Sequence, residues 1–256
     1  MKKTSVLFAL TLLAPVFLLA QNLPTSFTKS SVSREVPLEI MPVLDVETLM
    51  AEDEINMVGK LAPYKFGENI NVNLNLDNSG SWETLKKGRL WRLAIQSEGS
   101  FSLNFIFDDF FIPEGATLHF YGEERSQLLG PYNHENNNEA RTFGSFPIPA
   151  DLVYIEYYEP YTAYNQGALS LGSVTHAYRD LFAYYDASRG GVGGSGSCNN
   201  NINCPVGDNW QDDKKSVAII IVGGSGSCTG AMVNNTAQDG TPYFLTANHC
   251  LGGNTN

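Results

Sequence analysis

The sequence predicts an all-β chain, an antiparallel β-sandwich followed by the first strands of a second β unit. Three observations predict it. First, period-two alternation recurs, as in Ile70-Asn71-Val72-Asn73-Leu74-Asn75-Leu76 and in Phe101, Leu103, Phe105 and Phe107. That spacing puts one apolar face on each strand. Second, turn signals at Asn78-Ser79-Gly80, Pro113-Glu114-Gly115 and Asn136 to Asn138 punctuate the runs, with no helical pattern between them. Third, all four cysteines, Cys198, Cys204, Cys228 and Cys250, fall in the last quarter, which sets that block apart from the cysteine-free part before it.

Residues 1–20 read as a secretory signal. Lys2 and Lys3 precede the apolar run Ser5 to Ala20, and cleavage is expected between Ala20 and Gln21. The run is shorter than the roughly 20 apolar residues a membrane span needs. Residues 21–60 form an extended lead-in, with one short helix over Val46 to Met57. Residues 61–160 are the sandwich, with further strands over Leu90 to Ile95, Thr117 to Tyr121 and Leu152 to Tyr158. Trp82, Trp91, Phe101, Phe105, Phe110 and Phe120 are its expected core.

Residues 161–192 read as a linker. Its end runs into Ser188-Arg189-Gly190-Gly191-Val192-Gly193-Gly194, whose composition gives an accessible backbone and a site for proteolytic processing between Arg189 and about Gly193. Residues 193–256 are β again. Val217 to Val222 is a continuous apolar run of the kind found in a buried barrel strand. Cys228 to Val233 and Tyr243 to Ala247 add two strands, with Asp239-Gly240 as the turn signal between them.

The net charge of -11 leaves no basic stripe for phosphates, which excludes nucleic acid as a partner. Once the signal is removed, no remaining segment is long and apolar enough to cross a bilayer. A secreted monomer is expected, outside the cell or in a bacterial envelope, where disulfides persist.

The chemistry-bearing segment is Tyr243-Phe244-Leu245-Thr246-Ala247-Asn248-His249-Cys250. An apolar run into Thr-Ala-x-His-Cys resembles the way trypsin-like serine proteases of the chymotrypsin fold present their catalytic histidine. From about Gly193 onward the chain resembles a mature lysyl endopeptidase, a bacterial branch of that group. The resemblance rests on Gly196-Ser197-Cys198-Asn199, Cys204-Pro205-Val206-Gly207-Asp208, Cys228-Thr229-Gly230, Val233-Asn234-Asn235-Thr236-Ala237 and the histidine segment.

This resemblance implies that residues 193–256 are the first, incomplete part of a chymotrypsin-like β-barrel and that the sandwich is a propeptide. It implies that His249 is the general base of a His-Asp-Ser triad, a role worth roughly 10² to 10⁴ in rate. It pairs Cys228 with Cys250 and gives Cys198 and Cys204 partners further along a complete domain. The triad aspartate and serine are not in this chain. The function implied is a secreted serine endopeptidase precursor acting on protein or peptide substrates, with lysine or arginine preference suggested by the family. This fragment is expected to be inactive alone. The alternative is a non-enzymatic secreted sandwich protein, for binding or adhesion, with a vestigial protease segment. No metal and no cofactor are expected, because adjacent residues such as His249 and Cys250 rarely converge on one ion and Cys198-x5-Cys204 is not a zinc spacing.

Overall fold

The computed structural model describes residues 23–57, 62–185, 200 and 202–251. The chain begins with α1 (Thr25–Thr28), β1 (Leu38–Ile40) and α2 (Val46–Met57), which covers the helix expected there. Then follow β2 (Tyr64–Lys65), β3 (Gly67–Asn75), β4 (Ser81–Leu85), β5 (Gly88–Gln96), β6 (Leu103–Phe111), β7 (Thr117–Gly122) and β8 (Leu129–Tyr132). The series continues with β9 (Phe143–Gly144), β10 (Leu152–Pro160), β11 (Ala168–Ala177) and α3 (Leu181–Tyr185). The last block holds α4 (Gln211–Lys214), β12 (Val217–Val222), β13 (Gly226–Val233) and β14 (Tyr243–Thr246). The class is all-β, in several mainly antiparallel sheets, none closed into a barrel. Among the described residues no helix is long and apolar enough to cross a membrane.

The first sheet runs β1-β5-β10-β7-β8, with β4 on the β5 edge that β1 also uses. The second runs β3-β11-β6-β9. Their facing sides make one core. Trp91, Leu93 and Ile95 of β5 and Val153, Ile155 and Tyr157 of β10 meet Phe105 and Phe107 of β6 and Leu169, Leu171 and Val174 of β11. Aromatic rings fill the middle: Phe105 stacks on Phe120 at 5.4 Å between centroids, and Phe110 on Phe143 at 4.4 Å. Such pairs add to the area they remove from water. Phe101 is the exception among the expected core residues. It is 52% exposed, because it lies before the strand that begins at Leu103.

The outer face of the first sheet is also covered. Val32 of the lead-in packs on Leu85 and Leu90, and the Ser26 amide donates to buried Glu156 Oε1 at 3.1 Å. A sandwich strand with one apolar face would leave Leu90 and Glu156 wet; the lead-in removes that exposure.

One boundary needs correction. The stretch 161–192, read as a linker, contains β11, which pairs with β3 on one side and β6 on the other. Its serines and glycine, Ser170, Gly172 and Ser173, together with a register shift between Leu171 and Ser173, hid the inward series Leu169, Leu171 and Val174. A piece ending at Pro160 would leave β3 and β6 without their shared partner. A second correction concerns β12. Its apolar run was expected to be buried, yet Val217 is 60% exposed, because no layer of the described chain packs over that end of the strand.

Two buried polar groups have consequences. Glu159 is fully buried and accepts from Arg89 Nε and from the amides of Asn165 (3.1 Å), Gln166 (3.3 Å) and Gly167 (3.3 Å). The Arg89 guanidinium lies 3.8 Å from the Trp82 ring centroid and 4.2 Å from that of Tyr164. Replacing Arg89 by Met keeps bulk but strands a buried carboxylate. Removing one partner of a buried pair costs about 3 kcal/mol. R89M is expected to lower the urea midpoint accordingly; an unchanged midpoint would show that the amides alone hold Glu159.

His176, which had no context in the sequence, is buried with its Nδ1 2.7 Å from Ser97 Oγ, while Nε2 has no hydrogen-bond partner among the described residues. Burial lowers its pKa from the ordinary histidine value. A depressed folded-state value means the unfolded chain binds the proton first. The stability it confers is therefore complete above about pH 6.5 and declines as pH falls below that toward the folded value. Thermal melts between pH 8 and pH 5 should show a steeper loss of stability for the native chain than for His176→Gln. Identical slopes would assign the pH dependence to other groups.

Candidate active site around His249

The third sheet is β12-β13-β14, with β2 of the sandwich region also on β13. β13 is its axis. β12 pairs along one edge, from Val222 opposite Gly226 to Val217 opposite Ala231. β14 takes the other edge, from Tyr243 opposite Val233 to Thr246 opposite Gly230. The Thr246 hydroxyl donates to the Thr229 carbonyl at 2.8 Å and pins the end of β14.

There the chain turns. Asn248–Leu251 form one short 3-10 turn, opened by the Cys250 amide donating to the Ala247 carbonyl at 2.9 Å. His249 sits on this turn, half-buried. Cys250, next to it, is bonded to Cys228 of β13, with 6.0 Å between Cα atoms. Both cysteines are buried, so the crosslink lies beneath the turn that carries the imidazole. The lever is short: the histidine is one residue from an anchor that a covalent bond fixes to the sheet axis.

Cys228, His249 and Cys250 present their potential ligand atoms within 4.8 Å of one another. The disulfide consumes both thiolates, which leaves a single imidazole and no cation site. This group also contains no carboxylate. What the arrangement can do chemically is hold one titratable base, half open to solvent, at a fixed place beside a sheet. An imidazole can both accept and donate a proton, which is the chemistry general acid–base catalysis uses.

The other expected site residues fall apart from it or beyond description. Cys204 is exposed and has no disulfide partner among the described residues. Cys198, the processing residues Arg189 and Gly193, and the signal-cleavage pair Ala20 and Gln21 lie outside the described residues. The contact between β2 and β13 was not anticipated. Its only sequence sign is Gly223-Gly224 in the β12–β13 connection, which marks a tight turn but not what the turn touches.

The crosslink makes a local prediction. A loop of this size contributes about 3 kcal/mol through chain entropy, depending on the account used. Reducing the bond should raise hydrogen exchange at residues 247–251 and at 228–230, while the amides of β5, β10 and β11 keep their protection. Mass spectrometry of exchanged peptides would show it. Equal loosening of the sandwich would mean that the disulfide supports the whole chain rather than the turn.

With this geometry in place, comparison with known families returns a match over the same block. The family model described as lysyl endopeptidase, C-terminal domain, matches residues 192–256, the stretch that holds His249 and the four cysteines. Over that stretch the chain is lysyl endopeptidase-like, and the protein is protease-related.

Proposed function

We propose that the chain is the first part of a secreted serine endopeptidase precursor, in which residues 23–185 form the propeptide region and His249 is the general base. The observation that carries this reading is the placement of His249 on a turn covalently tied to β13, inside the block matched to the protease family. In the complete enzyme His249 takes the proton of a serine hydroxyl as that oxygen attacks the peptide carbonyl. It then returns the proton to the leaving amine, and water releases the acyl group by the same exchange. An aspartate must orient the imidazole, and backbone amides must stabilise the oxyanion.

The uncovered faces of the third sheet support further chain as their cover. Among the described residues, Tyr243, Leu245, Val233 and Val217 are exposed on one face of adjacent strands. A contiguous apolar surface of this kind marks a packing partner. The segment from Ala20 to Gln21 is read as the signal cleavage site, and the chain is cut between Arg189 and about Gly193 on maturation. Lysine or arginine preference follows from the family and would be enforced by residues beyond these strands.

The experiment uses the natural gene read beyond Asn256. The secreted product should hydrolyse lysyl or arginyl peptide substrates, and His249→Ala should reduce kcat by roughly 10⁴ or more without unfolding the protein. Residues 1–256 alone should show no turnover. Activity in this shorter chain that a serine-directed inhibitor abolishes, or a His249→Ala enzyme that works normally, would overturn the reading.

A further inference from the structure

The outer face of the second sheet carries a row of three polar side chains in register. Asn69 on β3 lies opposite Thr175 on β11, and Thr175 lies opposite Asn104 on β6. Thr175 and Asn104 are buried, although they point away from the aromatic core. The connection between β12 and β13 covers them. Asn69 Nδ2 donates to the Gly223 carbonyl at 2.6 Å, and Asn104 Nδ2 donates to the Gly224 carbonyl at 3.0 Å. Within the row, Thr175 Oγ1 donates to Asn69 Oδ1 at 2.8 Å and receives from Asn104 Nδ2 at 3.1 Å.

The fit requires glycine. Gly223 and Gly224 both have positive φ, at 56° and 81°. A Cβ on Gly224 would lie 2.6 Å from Ile106 Cδ1, 2.9 Å from Thr175 Oγ1 and 3.0 Å from Asn69 Oδ1.

Beside this cradle the backbone itself is shared. β2 pairs with β13, Lys65 opposite Gly226 and Tyr64 opposite Ser227, and the Phe66 amide donates to the Ser225 carbonyl at 2.9 Å. Ile221 packs on the cluster of Phe66, Ala177 and Leu181. β12 occupies one edge of β13 along the whole hairpin, so β2 lies on the other edge, the one that β14 uses further along. Cys228 and Thr229 separate the two. The sandwich therefore donates a strand immediately next to the point where β14 leaves for the His249 turn.

We infer that the Asn69–Thr175–Asn104 row and the β2 strand are a docking site for the Val222–Ser227 hairpin of the protease block, strong enough to hold the two regions together as a non-covalent complex after the chain between them is cut. The occupant is a segment of this same chain. Main-chain pairing supplies the adhesion and the glycine-only cradle supplies the selectivity. The inference rests on the proposed precursor only for the existence of a cut.

A specific protease site placed between residues 186 and 199 of the full chain allows the test. After cleavage the two pieces should co-elute in size exclusion. With one piece immobilised, Asn69→Ala and Gly224→Val should each raise the dissociation rate by about tenfold or more. Near-UV dichroism should report an intact sandwich in Asn69→Ala, which guards against misfolding in Gly224→Val. Native pieces that separate on the column, or two variants that dissociate at the native rate, overturn the inference. Association rather than turnover is read, so that result leaves the protease reading standing, and an inactive protease leaves this one standing.

Discussion

The structure depends on β11. Its register with β3 and β6 joins two strands that are far apart in sequence, and without it the second sheet has no centre. Its inward residues Leu169, Leu171 and Val174 complete the aromatic core. Its outward Thr175 organises the cradle for the β12–β13 turn. Its continuation sets the position of β2. Arg179 donates its amide to the Phe66 carbonyl and its guanidinium to the Lys65 carbonyl, and Asp53 of α2 accepts from Tyr178 and Arg179. One strand thus fixes the core, the cradle and the donated edge. A change in its register by one residue would exchange Thr175 for a core residue and undo all of them.

The two β regions differ in how completely they bury themselves. In the sandwich both faces of the first sheet are closed, one by the second sheet and one by the lead-in. In the third sheet the strands are made and pair through β13, but apolar side chains remain open: Leu245 is 66% exposed. Burial is the dominant favourable contribution to folding. The third sheet therefore draws its local order from the disulfide, from β2 and from the cradle rather than from a core of its own. That makes the contact with the sandwich more than an incidental touch between neighbours.

Much of the fold was legible because alternation is a strong signal. β3, β5, β6, β7 and β10 each carry apolar residues at every second position, and the helix over Val46–Met57 also showed. β11 was not legible, because small and polar residues interrupt its pattern at Ser170, Gly172 and Ser173, and a register shift falls there as well. Val217–Val222 misled in the opposite sense. Its composition reports what a strand prefers to touch, not whether the partner is present. For the site, His249 and the pairing of Cys228 with Cys250 stood out through their motif. The cradle did not, because Asn69, Asn104 and Thr175 are brought into one row only by strand pairing, across sequence distances that local patterns do not span.

The edge of β13 connects these points. Four residues of that edge are taken by β14, which leads to the histidine, and two by β2, which belongs to the sandwich region. An edge strand left open is prone to pair with whatever extended chain it meets. Here β2 closes the stretch beside the disulfide, at Gly226 and Ser227, so the residues that anchor Cys228 have partners on both sides. The imidazole is therefore held in two ways. Covalently, it is one residue from the bond to β13; non-covalently, β13 itself is kept in place by a strand from outside the protease block. Release of β2 would free Gly226 and Ser227 without breaking the crosslink. The crosslink would still tie the His249 turn to β13, and the edge that opens is the one β14 shares on its way to that turn.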